Sequence, residues 1–96
     1  MPAYAIFEVE TIDPELMAEY RQIVAPTLEP FGGRFLARGG RTETLEGDWN
    51  PARIVVVEFS SVERAQAWWN SDAYREPKAM RQRAGRTRAI IVEGLA

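Results

Sequence analysis

Two glutamates, Glu8 and Glu58, have the residue type and the spacing that acid–base chemistry requires. Each lies near the end of a segment patterned as a β-strand, and strand alternation assigns both to the same face of the predicted sheet. We expect their strands to be neighbours, with the two carboxylates at matching heights about 5 Å apart. At an effective dielectric of about 20 they would repel each other by roughly 3 kcal/mol. A shared proton, a cation or wider splaying of the side chains must relieve this repulsion, and Arg38, on the corresponding face of the second strand, is a candidate cation.

This group of three side chains has two interpretations. In the functional one, Glu8, Glu58 and Arg38 line a pocket in which one glutamate acts as a general acid or base. In the structural one, they form an arginine–glutamate network at a dimer interface. We favour the structural interpretation, because such networks shift pKa values without doing chemistry. Tyr20 is the fourth candidate catalytic residue.

Aromatic side chains form a second candidate site, for a ligand. Trp68 and Trp69 are adjacent on a predicted helix and point about 100° apart, so only one of them can face the core squarely. Together with Tyr74, and with Tyr20 at its tip, they could wall a pocket between helices and sheet that suits a small flat organic molecule. The alternative, which we favour, is a structural cluster of core and interface aromatics.

The predicted loops contain two further features. Trp49, in the turn after Gly47, is a candidate ligand-binding residue that either acts as a lid or contacts a partner subunit, and we favour the partner contact. Gly39 and Gly40 lie between two arginines, but a phosphate cradle requires a glycine-rich loop that opens onto a helix. No helix follows here, so we interpret the two glycines as a β-bulge.

The composition excludes several classes of site. The 96 residues contain no cysteine and no histidine, which removes disulfides, thiol nucleophiles and the commonest metal ligand. We therefore expect no metal site and no cofactor. The net charge is −2 with the signs interleaved along the chain, which speaks against a nucleic-acid partner. No apolar run approaches the roughly 20 residues of a membrane span, and the N-terminus lacks the regions of a signal peptide, so we expect a cytoplasmic protein.

The hydrophobic pattern predicts four strands and two helical regions in one domain, residues 1–96. The first helix is expected to begin with Asp13 as its N-cap and to kink or end at Pro26. The second is expected to begin with a capping box at Ser60, and a further helical piece is expected to begin near Pro77. The four predicted strands are Ala3–Glu10, Arg34–Arg38, Arg53–Phe59 and Thr87–Glu93.

The resulting order β-α-β-β-α-β is typical of a ferredoxin-like α+β sandwich. It predicts a four-stranded antiparallel sheet with the helices on one face. Right-handed crossovers place the first and third strands side by side in the centre of the sheet, where we expect them to run parallel.

Both faces of this sheet are predicted to be apolar. The helices are expected to cover the face that carries Phe7, Val9, Val57 and Phe59. The opposite face should alternate to polar residues if it met water, but it does not. We therefore predict a homodimer formed by sheet-to-sheet packing. The apolar residues of that opposite face are Tyr4, Ile6, Leu36, Ile54 and Val56.

Seven parts of the sequence form a distinctive set: Gly32–Leu36, Arg38–Gly40, Leu45–Trp49, Arg53–Phe59, Ala65–Ser71, Tyr74 and Val92–Gly94. Together they resemble a family of short bacterial domains, domain of unknown function 1330, in the dimeric α+β barrel superfamily. The resemblance implies a ferredoxin-like subunit whose sheet packs on that of a partner, and it brings no established activity. The sequence departs from the family pattern at Ser60, at Trp69 and at Asp72-Ala73, where proline, tyrosine and Pro-Glu are frequent.

Three functional hypotheses remain open at this point. The first is a dimeric barrel that binds a small organic molecule, with or without turnover. The second, suggested by the superfamily resemblance alone, is a cofactor-independent oxygenase or isomerase that acts on a small aromatic or keto-acid substrate. The third is a structural or interaction module without a ligand. A cavity with convergent polar groups beside the tryptophans would favour the first two.

Overall fold

A computed structural model describes residues 1–96 as a four-stranded sheet with helices on one of its faces. None of the helices has the length and hydropathy of a membrane span. In chain order the elements are β1 Ala3–Thr11, α1 Pro14–Ile23, α2 Ala25–Leu28, a 3₁₀ turn Glu29–Phe31, β2 Arg34–Arg38, β3 Arg53–Phe59, α3 Val62–Trp69, α4 Asp72–Ala84 and β4 Gly85–Glu93.

The sheet has the strand order β2-β3-β1-β4, and every neighbouring pair is antiparallel. The central pair is β1 and β3, as predicted, but the expectation that they run parallel is wrong. The helical crossover makes β2 run in the same direction as β1, and the chain then reverses into β3. A strand that follows such a reversal and lies between β1 and β2 must be antiparallel to both.

The helix starts follow from side-chain caps. Asp13 accepts a hydrogen bond from the backbone of Leu16, as its predicted N-cap role requires, and α1 ends before Pro26. The N-cap of α3 is Ser61 rather than the predicted Ser60, because the Ser61 hydroxyl is the one that accepts from the helix backbone.

The last helix begins earlier than predicted. Ser71 caps α4 through the backbone N–H of Tyr74, and the helix then continues through Pro77 to Ala84. A proline inside a helix removes one backbone hydrogen bond, which is why the sequence pattern placed the start there. Burial of both Tyr74 and Pro77 against the rest of the protein offsets that loss.

The core lies between the sheet and the helices. The predicted covered face is confirmed, since Phe7, Val9, Val57 and Phe59 are all buried. They alternate along their strands with half-buried residues of the opposite face. The helices and the junction between α1 and α2 contribute the remaining large buried side chains of the core, which are Met17, Val24, Leu28, Trp68 and Tyr74.

We call the uncovered side of the sheet the outer face and define it by Tyr4, Ile6, Ile54, Val56, Ile90 and Val92. Strand register places these side chains together across β3, β1 and β4. Ion pairs lie at its two ends: Arg34 with Glu58 at one, and Arg88 with Glu8 at the other. An apolar centre between charged ends is the usual composition of a protein interface.

Candidate functional site

Glu8 and Glu58 lie on the same face, as predicted, but at opposite ends of their strands. In the antiparallel register Glu58 is opposite Tyr4, and Glu8 is opposite Ile54. The four-residue offset along β1 separates the two positions by about 13 Å. The predicted repulsion between the two carboxylates is therefore absent, because it depended on parallel strands.

Each glutamate has its own partners on the outer face. Glu8 forms an ion pair with Arg88 and also accepts hydrogen bonds from the backbone N–H of Ala52 at 3.2 Å and from Nε1 of Trp49 at 3.4 Å. The hydrogen bond from Arg88, supported by those from Ala52 and Trp49, lowers the pKa of Glu8. The Arg34–Glu58 distance is 2.7 Å. These contacts hold the end of β1, the long loop and the sheet edges together.

Arg38 does not join either glutamate, which corrects the prediction from simple alternation. The pairing of β2 with β3 is irregular between Phe35 and Ala37, so that Ala37 is opposite Val56 and Arg38 is opposite Val55. One extra residue in a strand turns the side chains that follow it to the opposite face of the sheet. Arg38 therefore projects to the helix side, where its Nη2 donates to the carbonyl of Arg21 at 2.7 Å.

The bulge predicted at Gly39-Gly40 therefore lies earlier in the strand. Gly39 directly follows β2, and its backbone lies in the left-handed region at φ 74°. A Cβ there would lie 2.5 Å from Nη1 of Arg53, so the glycine leaves room for that guanidinium.

A cavity of about 40 Å³ lies between the sheet and helix α1, on the side of the sheet away from Glu8 and Glu58. Its wall is mainly apolar. Four arginines and one tyrosine supply the polar groups. The apolar lining residues are Phe7, Val9, Met17, Val24, Leu28, Phe35, Val55, Val57 and Trp68; the polar ones are Tyr20, Arg21, Arg38, Arg53 and Arg81.

Tyr20 and Tyr74 connect helices α1 and α4 beside this cavity. Their hydroxyl oxygens are 2.9 Å apart, and Nε of Arg81 donates to the Tyr74 hydroxyl at 3.2 Å. Burial raises the pKa of Tyr20, and the neighbouring Tyr74 raises it further. Tyr20 is therefore neutral at physiological pH, where it can donate a hydrogen bond but is a poor general base.

Arg81 is the least expected member of the site. A charged residue on a helix is expected on its solvated face, but only 3% of Arg81 is exposed. Its Nη2 is buried without a hydrogen-bond partner, as is Oγ1 of Thr87. A guanidinium buried without a carboxylate is costly unless something else satisfies it.

The predicted aromatic site is only partly assembled. Trp68 is 2% exposed, lines the cavity and stacks on Tyr74 at 4.0 Å between ring centroids. Trp69 is half-buried at the flank, as the prediction for adjacent tryptophans requires. Tyr74 lies behind the cavity wall, and Trp49 lies on the outer face beside Glu8, remote from the other three.

A second, more open groove of about 280 Å³ lies between α3 and β4. Only apolar side chains line it, among them Trp69, Ile90 and Ile91. Since no polar group points into this groove to orient a ligand, the arginine-lined cavity is the better candidate site.

Sequence reasoning missed three of the four cavity arginines, although two signals were present. Arg53, Val55 and Val57 alternate along one strand and so share its covered face. Tyr74 and Arg81 are seven residues apart, which is two helical turns and hence the same helix face. No such local signal identifies Arg21.

The four-stranded antiparallel sheet with its helices on one face is a ferredoxin-like α+β fold. The chain belongs to the DUF1330 family, a domain of unknown function, whose family model matches residues 2–95. No curated protein matches the sequence.

Solved structures agree with this fold. A protein of unknown function from Rhodopseudomonas palustris is 23% identical, with a TM-score of 0.77 over 99% of this chain and 83% of that one. A dimeric ferredoxin-like protein of unknown function from Jannaschia sp. CCS1 is 12% identical, with a TM-score of 0.68 over 98% and 100%. A cofactor-independent oxygenase from Streptomyces nogalater is 13% identical, with a TM-score of 0.53 over 99% and 92%. At these identities the likeness concerns the fold alone.

Proposed function

We propose that this protein binds a small organic molecule in the cavity between the sheet and helix α1. The observation that carries the proposal is the position of a buried, incompletely satisfied Arg81 in the wall of an apolar cavity. Ligand sites combine such apolar walls with a few polar groups that fix orientation. Tyr20, whose hydroxyl is held by Tyr74, is a second polar group of this kind.

The size of the cavity limits how a ligand enters. Its 40 Å³ compares with roughly 150 Å³ for an engineered cavity that holds benzene in another protein. Anything larger than a few atoms must displace side chains at the open end, where Arg38 is exposed. The buried part of the ligand is therefore small, and the remainder lies among the arginines.

Tryptophan fluorescence tests the proposal, because Trp68 lines the cavity. The full-length protein is titrated with hexanoate, hexan-1-ol and benzoate. We expect a saturable change for at least one of them, which Val55→Phe abolishes by filling the cavity. Val62→Phe, the same substitution at the start of α3 and outside both the cavity and the outer face, should retain the change. A response to none of the three compounds, or an equal response in Val55→Phe, contradicts binding in this cavity.

A homodimer formed through the outer face is part of the proposal. Six apolar side chains share this face, and none of them is fully buried within one subunit. Ile90 is 61% exposed. Covering such side chains stabilises an assembly by roughly 1.5–3 kcal/mol each before the cost of association.

A cofactor-independent enzyme is the second candidate. The neutral Tyr20 hydroxyl favours it, because a donor in an apolar cavity can stabilise an oxyanion that forms during reaction. The cavity lining contains no carboxylate, however, and Glu8 and Glu58 lie on the other face. Without a general base, binding is better supported than turnover. Oxygen consumption or product formation with bound aromatic or keto acids, lost in Tyr20→Phe, would support the enzyme; its absence with a bound compound leaves binding alone.

A further inference from the structure

We infer that the ligand is an organic anion, a carboxylate with a short apolar body, whose charged group lies among Arg21, Arg38 and Arg53. This inference rests on the proposed function and specifies its ligand class. The observation that supports it is the unbalanced positive charge around the cavity.

The three arginines converge at one end of the cavity. Nη2 of Arg38 donates to the backbone carbonyl of Arg21, and Nη2 of Arg53 approaches the backbone carbonyl of Arg38 at 3.5 Å. Burial, and then the positive charges of Arg21 and Arg38, lowers the pKa of Arg53. These guanidinium groups are thus close enough for their charges to oppose one another.

No carboxylate balances this positive charge. The ion pairs of the protein involve Arg34, Arg41, Arg75, Arg86 and Arg88, and none involves a cavity arginine. No acidic residue lines the cavity. In a chain with net charge −2, four unpaired arginines at one apolar cavity are a local excess that a bound anion would neutralise.

The backbone is shaped to keep one of these arginines in place. Gly39 adopts a conformation that few other residues tolerate, and the Arg53 guanidinium occupies the space where a side chain would begin. Arg53 thereby stays directed along the cavity wall. Arg81 is the fourth cation. Only 3% of it is exposed, and its Nη2 has no hydrogen-bond partner.

Guanidinium groups and apolar walls together select the ligand chemistry. Arginine binds carboxylates through paired, charge-assisted hydrogen bonds. The apolar walls favour an attached hydrocarbon group over water. Since the cavity is small, the body is a short alkyl chain or a single ring rather than a long acyl chain.

A matched set of three compounds tests the inference: hexanoate, hexan-1-ol and hexylamine share one chain length and differ in charge. Affinities are measured by isothermal titration calorimetry on the full-length protein. We expect hexanoate to bind at least about tenfold more tightly than the alcohol, and the amine to bind least. Raising the salt concentration should weaken hexanoate binding more than alcohol binding.

Variants assign the effect to the arginines. Arg38→Gln/Arg53→Gln should lower hexanoate affinity about tenfold or more and leave the alcohol unchanged. Arg64→Gln/Arg83→Gln, which removes the same charge from exposed positions outside the cavity, should leave both unchanged. Arg21→Gln is a second variant that should also lower hexanoate affinity, because the contact from Arg38 to the Arg21 backbone carbonyl survives the substitution.

Each contrary outcome has a distinct meaning. Equal binding of hexanoate and hexan-1-ol overturns the anionic ligand but leaves the cavity as a binding site. Equal binding of acetate, inorganic phosphate and hexanoate overturns the apolar body and identifies a simple anion site. Binding of none of these compounds overturns the inference together with the proposed function.

Discussion

The hydroxyl oxygens of Tyr20 and Tyr74 lie 2.9 Å apart and join helices α1 and α4 above the sheet. Tyr74 is completely buried and receives a second hydrogen bond from Nε of Arg81. Tyr20 lies on the cavity side, and its hydroxyl is bonded to that of Tyr74. The two residues therefore contribute unequally to the fold, although they share one contact.

Tyr74→Phe should destabilise the protein more than Tyr20→Phe. Removing the Tyr74 hydroxyl takes one hydrogen bond from Tyr20 and one from the buried Arg81, at a cost of about 1–3 kcal/mol in the free energy of unfolding. Tyr20→Phe leaves the Arg81–Tyr74 contact intact and should cost about half as much or less. Urea denaturation followed by circular dichroism measures both.

Tyr4→Phe is the matched control, since the Tyr4 hydroxyl makes no hydrogen bond within the protein and its removal should leave the denaturation midpoint unchanged. Equal midpoints for Tyr74→Phe and Tyr20→Phe would show that Arg81 does not depend on Tyr74.

Acid should weaken the fold partly through Glu8. The pKa of Glu8 in the folded protein lies below its ordinary value of 4.5, mainly because of the hydrogen bond from Arg88. A group with a depressed folded pKa stabilises the protein above the unfolded value and loses that contribution as the pH falls through the folded value. Glu8→Gln should therefore flatten the loss of stability below about pH 4.5. Denaturation midpoints between neutral and acidic pH measure this.

Glu93→Gln removes a carboxylate that forms no ion pair and is the comparison for Glu8→Gln. If both variants follow the wild-type acid profile, Arg88 does not stabilise the ionised form of Glu8 in solution.

Gly39→Ala should impair the cavity while Gly40→Ala should not. A Cβ on Gly39 would strain the backbone and displace the Arg53 guanidinium, whereas nothing lies within 4 Å of a Cβ on Gly40. We expect Gly39→Ala to cost about 1–2 kcal/mol of stability and to weaken hexanoate binding. Calorimetry and urea denaturation of both variants check this. Unchanged hexanoate affinity in Gly39→Ala would remove Arg53 from the site.

Ile6→Glu should abolish the proposed dimer. Ile6 lies opposite Val56 and Ile90 at the centre of the outer face, so a carboxylate there would be buried without a partner in a sheet-to-sheet interface. Light scattering after size exclusion should give twice the chain mass for the wild type and one chain mass for the variant. Ile12→Glu makes the same change at an exposed residue after β1 and should stay dimeric. A monomeric wild type at micromolar concentration contradicts the interface.

Local patterns predicted most of the fold. The bounds of β2 and β3, the N-cap at Asp13 and the covered face were all confirmed, because caps and alternation act over a few residues. The start of α4 was wrong because burial of Tyr74 outweighs the local effect of Pro77. Packing between residues that are far apart in the chain cannot be predicted from a short stretch of sequence.

The candidate site was harder to predict for the same reason. Trp68 and Tyr20 were identified, but the irregular position between Phe35 and Ala37 moved Arg38 from the glutamates to the cavity. Such a one-residue shift depends on strand pairing, which no single strand encodes. Arg81 was missed because charged residues are rarely buried unless paired, and its uncharged partner, Tyr74, gave no sign of pairing.

Methyl NMR on Met17 tests binding in the cavity most directly. Met17 lines the cavity, whereas Met1 and Met80 do not, so labelling the three methionine methyl groups places one signal at the site and two elsewhere. Titration with hexanoate should shift the Met17 signal in a saturable way, leave the other two in place, and lose its effect in Arg38→Gln/Arg53→Gln. A Met17 signal that stays fixed through the titration, or moves no more than those of Met1 and Met80, would contradict an organic anion in this cavity.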